Sequence, residues 1–264
     1  MRKKDIGKKV LQISGGVIGT VFDLFLYQTF LAFTLAGKRS PYQIDTGFDQ
    51  AGQLLGEINH ATIANSLYTL VRKGLIKPRK HGSLTYAITE EGKKRISETI
   101  PTYKTTRPWN GYLYLVSYDI PRKSNTKRNI LRTYLKKIGC GKLQDSLWMS
   151  PYNPEGIIEE FVDTYAIPGT ILVSKLGKDG AIGQENRKTL IAKVYDYKTL
   201  SKRYDDFIQE YSRQKHPLPL DVSLAYFAIL KDDPQLPFPL EPDDFPARNA
   251  SALFNRHTNL HPVS

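Results

Sequence analysis

Apolar residues recur at helical spacing in the first third of the chain. Ile63, Leu67, Leu70 and Val71 line one face, and Asn59 precedes them as a helix cap. Gly74 stops the helix, because glycine accepts the left-handed conformation that closes a helix end. Leu75 and Ile76 then open a strand, Ile76-Lys-Pro-Arg79, and Lys80-His81-Gly82-Ser83 supplies a tight reversal. Leu84 to Ile88 alternates like a second strand, and Thr89-Glu90-Glu91-Gly92 starts another helix. Helix, basic hairpin and helix in that order are the layout of a winged helix.

The pattern changes after Pro101 and Pro108, which mark residues 101–108 as a linker. From Trp109 to Pro121 the chain is almost continuously apolar and aromatic, as suits a strand buried on both faces, with Asp119 near its end. A helix follows, with Ile130, Leu131, Tyr134, Leu135 and Ile138 on its core side, ended by Gly139 and Gly141. Leu143 to Met149 reads as one strand, Pro154 to Thr164 as a helix and Gly169 to Ser174 as a strand. A β-α-β-β-α-β order accounts for these, with one strand not placed, and describes a small ferredoxin-like sheet. Residues 184–215 read as helical. From Pro217 the chain is proline-rich, with no periodicity after Arg256.

The fold class expected is therefore α+β. An N-terminal winged helix-turn-helix spans 1–100 and a central ferredoxin-like α/β domain spans 109–180. A C-terminal helical region with a tail fills 181–264. The basic N-terminus and the apolar stretch Val17–Ala36 have the order of a signal or anchor. Asp23 and Gln28 lie inside that stretch, and Tyr27, Thr29 and Thr34 dilute it, so a buried first helix is expected and no membrane partner.

Charge narrows the partner. The net charge is +12, and it is uneven: +7 in residues 1–100, +5 in 101–175 and zero in 176–264. Basic surface concentrated in the first two thirds fits a phosphate backbone. Cys140 is the only cysteine, which excludes an intrachain disulfide and a cysteine-rich metal site and fits the cytoplasm. No cofactor is expected. Gly177-Lys-Asp-Gly180 and Gly183 lack the ending of a phosphate-binding loop.

A helix in the major groove must turn polar side chains to base edges. Opposite the apolar face, the first winged-helix candidate offers His60, Thr62, Asn65, Ser66, Thr69, Arg72 and Lys73. The hairpin adds Lys77, Arg79, Lys80, His81 and Ser83, suited to neighbouring phosphates. Double-stranded DNA is the partner this set favours.

Several further motifs appear in a fixed order: Trp109-Asn-Gly111, Tyr118-Asp-Ile-Pro121 and Ser146-Leu-Trp-Met-Ser-Pro151. They are followed by Ala192-Lys-Val-Tyr-Asp-Tyr-Lys-Thr-Leu200 and Arg203-Tyr-Asp-Asp-Phe207. Asp233-Pro, Leu236-Pro-Phe-Pro-Leu240, Pro242, Ala250, Leu253 and Phe254 complete the series. In this the chain resembles, from about residue 40 to 256, the PaaX-like repressors of phenylacetic-acid catabolic operons. The resemblance implies a winged helix, a central domain similar to the small CRISPR adaptation nuclease fold and a helical C-terminal region. It also implies a homodimeric repressor released by an acyl-CoA effector. This sequence has Ala64 and Thr69 where the family usually has arginines, and Phe245 where it has Trp.

The nuclease-like fold carries an alternative. Asp119 stands where that fold places a metal-binding aspartate, and a pair of them across a dimer could hold Mg²⁺ at a phosphodiester. The plainer role for Asp119 is ordering the turn before Pro121. His257 and His261 are four residues apart but lack a third ligand, so a solvated tail is expected there. Cys140 is expected to be an inert small residue. Tyr112, Tyr114, Tyr118, Tyr134 and Tyr152 are expected to serve packing.

Overall fold

The structure is a computed structural model that describes residues 17–35, 60–79, 86–176 and 187–260. It divides into two compact units. One comprises residues 1–105, 201–233 and 246–264, the other 106–200 and 234–245. The C-terminal region expected from residue 181 is thus shared between them.

The first unit is built on α1 (Val21–Leu35), which packs against α2 (His60–Arg72), a short hairpin and α3 (Glu90–Thr99). The hairpin pairs β1 (Ile76–Pro78) with β2 (Tyr86–Ile88) antiparallel, Lys77 opposite Ala87. Leu24, Phe25, Leu26 and Tyr27 are consecutive and all buried, so α1 has no solvent face over that stretch. Its polar residues are absorbed locally. Asp23 receives hydrogen bonds from Arg95 Nε at 3.1 Å and Thr20 Oγ1 at 2.7 Å. Thr29 Oγ1 donates to Phe25 O, and Tyr27 OH donates to Ser223 Oγ at 2.9 Å. Burial pushes the Tyr27 hydroxyl pKa up, opposed by that bond. The expected buried first helix is observed. Among the described residues no helix is long and apolar enough to cross a membrane.

Most of α7 (Tyr197–Ser212), with α8 (Pro219–Leu230) and α9 (Ala247–Thr258), completes this unit. Pro219 pre-sets the first turn of α8, and eight of its residues are buried, Tyr226 and Phe227 among them. Tyr226 stacks on Phe254 of α9 at 4.5 Å. What reads as a proline-rich tail is here a buried helix pair.

The second unit has the order β3 (Leu113–Asp119), α4 (Asn125–Lys137), β4 (Gly141–Gln144), β5 (Leu147–Ser150), α5 (Glu155–Tyr165) and β6 (Thr170–Leu176). The sheet is antiparallel throughout, in the order β4-β5-β3-β6. That is the ferredoxin-like arrangement. One expectation is corrected. Leu143–Met149 is not one strand but a hairpin that breaks at Asp145-Ser146, and this supplies the missing fourth strand. The reversal is held from outside the hairpin: Tyr118 OH donates to Asp145 O at 2.6 Å, and Arg132 Nη2 donates to it at 3.2 Å.

Both faces of β3 are covered, as its continuous apolar run implies. Val116 and Tyr118 pack with Trp148 of β5 and with Leu131, Leu135, Ile158 and Phe161 of the helix layer. Leu113 packs with Met149 on the other side, against Ile191 of α6 (Arg187–Val194), Tyr197, Leu236 and Leu240. Beside that second core Arg107, fully buried, forms an ion pair with Glu241 and donates to Leu236 O at 2.9 Å.

Candidate nucleic-acid interface

The ends of α2 and α3 are tied together by a few backbone-directed bonds. Gly74, at φ +69°, closes α2: its N–H donates to Val71 O and the N–H of Leu75 donates to Leu70 O. Thr89 then bridges the two helices. Its hydroxyl donates to Gly74 O at 2.6 Å and accepts from the N–H of Gly92 at 3.1 Å, capping α3. Gly92 lets the helix approach the chain closely, because a Cβ there would lie 2.2 Å from Leu75 O. Beneath these ties Leu70, Ile76, Ala87 and Ile88 are buried. The helix α2 and the strand β1 are therefore held in a fixed relation by contacts on their inner sides.

The outer sides carry the candidate contacts. Asn65, Arg72, Lys73, Lys77 and Arg79 are exposed, and Ser66 and Thr69 are half-buried. The Thr69 hydroxyl donates to Asn65 O at 2.7 Å, so its proton is engaged within the helix. Thirteen residues give α2 a length of about 20 Å. Four cations between positions 72 and 79 form a local concentration of positive charge suited to phosphate oxygens. His60 and Thr62 start α2, but their side chains lie outside the described residues. So do Asn59, Lys80, His81 and Ser83.

Tyr68 is a further residue of this surface. It is 66% exposed, one turn from both Asn65 and Arg72. The sequence carries the signal, since Tyr68 falls off the face marked by Ile63, Leu67, Leu70 and Val71. An exposed aromatic ring on a polar helix face offers an apolar contact with a thymine methyl or a stacking surface.

The other candidates resolve differently. Asp119 is exposed at the end of β3, where its backbone pairs with Thr170. Among the described residues no group of three or more His, Cys, Asp or Glu could hold a metal ion. The basic residues after Asp119 are partly used in the fold: Arg128 donates to Ile120 O, and Arg132 donates to Tyr118 OH at 3.0 Å, which raises its pKa. His257 belongs to the last turn of α9 rather than to a tail, and His261 lies outside the described residues. The phosphate-loop candidates Gly177, Gly180 and Gly183 lie outside them as well.

Cys140 is buried, and burial pushes its thiol up to about 11, opposed by a bond to Ser150. Of the five tyrosines, Tyr114 and Tyr118 are core residues, and Tyr134 stacks on Phe161 at 3.7 Å. Tyr152 is 44% exposed.

Comparison with known proteins agrees with this architecture. Residues 106–187 match the family model described as PaaX protein central Cas2-like domain. The matched segment is the one that forms the ferredoxin-like sheet. A solved structure, the uncharacterized protein Rv0674 from Mycobacterium tuberculosis, is similar at a TM-score of 0.50 and 18% identity. That match covers 78% of this chain and 84% of the other, and it is a likeness of fold. Comparison with curated proteins gives no match.

Proposed function

We propose that the protein is a sequence-specific, DNA-binding transcriptional regulator whose first unit contains a winged helix. The observation that carries the reading is the α2–hairpin–α3 assembly. Its inner side is locked through Thr89 and Gly92, and its outer side exposes Asn65, Tyr68, Arg72, Lys73, Lys77 and Arg79. The match of residues 106–187 to the PaaX central-domain model supports the same reading, because the PaaX-like proteins that the sequence resembles are transcriptional regulators.

On this reading α2 enters the major groove and the hairpin lies along the adjoining backbone. Two copies, related by a twofold axis, read two half-sites. The protein acts as a cytoplasmic repressor released by a small-molecule effector such as an acyl-CoA. An effector lowers operator affinity only as far as it prefers the released shape.

The test is fluorescence anisotropy on duplex DNA from directly upstream of the gene, with a scrambled duplex of equal length. Arg72→Ala should weaken binding to the native duplex by roughly 1–3 kcal/mol and narrow the gap to the scrambled one. Lys77→Ala should weaken both similarly and reduce the salt slope by about 1. Unchanged affinity in Arg72→Ala would remove α2 from the groove.

A further inference from the structure

The first unit encloses a cavity of about 490 Å³ at the junction of α1, α3, α8 and α9. Its inner wall is aromatic. Tyr27 and Phe227 meet edge to face at 5.4 Å, and Phe254 lies against both Tyr226 and Phe227. All four side chains are buried, so the wall is a settled part of the core. The rim is polar and comes largely from α3: Glu90, Lys93, Lys94 and Ser97. Lys93 pairs with Glu90 at 2.8 Å, so the rim's charged lining sums to +1 and Lys94 contributes the excess.

We propose that this cavity is a binding site for a compact organic anion, with a flat apolar body on the aromatic wall and its charge at the Lys94 rim. The volume falls in the range of small-molecule sites, and aromatic walls with few polar groups are their usual lining. A planar body matches rings already arranged in stacked and edge-on contacts. A neutral ligand would leave the rim cation unused, and a dication would oppose it.

The site also bears on regulation, and this part rests on the regulator reading. α3 presents Lys93, Lys94 and Ser97 to the cavity, while Gly92, one residue earlier, is pressed against Leu75 O at the start of the hairpin. The start of α3 is also tied there, because the Thr89 N–H donates to Leu75 O at 3.1 Å and its hydroxyl donates to Gly74 O. A ligand that shifts α3 must therefore shift the hairpin, and with it the basic residues Lys77 and Arg79.

The probe is 8-anilinonaphthalene-1-sulfonate, which has a flat naphthalene ring and one anionic group, titrated into the full chain. We expect saturable one-to-one fluorescence enhancement. Ser97→Trp, which fills the mouth from an exposed position, should weaken it at least tenfold. Lys94→Glu should weaken it about fivefold. Absence of saturable binding, or wild-type affinity in both variants, overturns the site. The same samples are measured for anisotropy on the upstream duplex with and without the probe. Lower DNA affinity with probe, absent in Ser97→Trp, supports the coupling, and unchanged affinity overturns it. Probe binding without specific DNA binding keeps the site and removes the regulator reading. Specific DNA binding without probe binding does the reverse.

Discussion

Gly92 lies in the first turn of α3, and its replacement by alanine sets two effects of opposite sign against each other. In a helix with free space around it, Gly→Ala stabilises by roughly 0.5–1 kcal/mol, because it removes backbone freedom from the unfolded chain. At Gly92 the added methyl would stand 2.2 Å from Leu75 O and 2.8 Å from Ile88 Cγ1. The first obstacle is backbone and cannot rotate away. Overpacking of this kind costs about 1–3 kcal/mol, and contact with a fixed carbonyl belongs at the upper end. The net expectation is a loss of about 2 kcal/mol, or a melting temperature lower by roughly 4–8 °C. Gly156 in the first turn of α5 is the matched control, since nothing lies within 4 Å of its Cβ position. Gly156→Ala should gain a few tenths to about 1 kcal/mol. Urea and thermal unfolding followed by circular dichroism measure both. If Gly92→Ala proves as stable as wild type, α3 does not approach Leu75 as described, and the coupling of α3 to the hairpin fails with it.

Glu241→Ala should cost about 3–5 kcal/mol, because it leaves the buried Arg107 guanidinium without its carboxylate; a urea midpoint unchanged from wild type would contradict this. Replacing Arg107 and Glu241 together by Met and Leu should recover much of that loss by the same measurement. Cys140 should react slowly with iodoacetamide near pH 8 in the folded protein and at the ordinary thiol rate in urea, because its thiol is held near 11. The unfolded thiol ionises near 9.0 and the folded one near 11, so the folded state holds more protons between these values. Stability should therefore fall as pH rises through that window, and Cys140→Ala should flatten the fall. Tyr68→Ala should weaken binding to the native duplex more than to the scrambled one, and equal weakening would make Tyr68 a non-specific contact.

Much of this architecture is written locally. The face of Ile63, Leu67, Leu70 and Val71, the stop at Gly74 and the Thr89 cap each depend on residues within a turn or two, so periodicity and cap chemistry reveal them. The apolar run of β3 similarly announces its double burial. The β4–β5 break was less visible. The turn at Asp145-Ser146 lacks glycine or proline, and it is held by Tyr118 and Arg132, which are 27 and 13 residues away. α8 is obscured for another reason. It is apolar on nearly every side, so it shows no amphipathic period, and its flanking prolines suggest a tail. The cavity was not legible at all, because Tyr27, Lys94, Phe227 and Phe254 converge only when four separate helices pack. The basic residues of the hairpin and the cations Arg72 and Lys73 at the end of α2 were legible as charge, while Tyr68 needed its exposure to stand out from fifteen other tyrosines.

The most direct test of the regulator reading is one gel-shift series at roughly physiological salt, with and without Mg²⁺. It sets duplex DNA from directly upstream of the gene beside a scrambled duplex of equal length. The account predicts a discrete shifted band on the native duplex alone, with the DNA intact in both conditions. Equal weak binding to both duplexes, or fragments appearing with Mg²⁺, would contradict it and turn attention to Asp119.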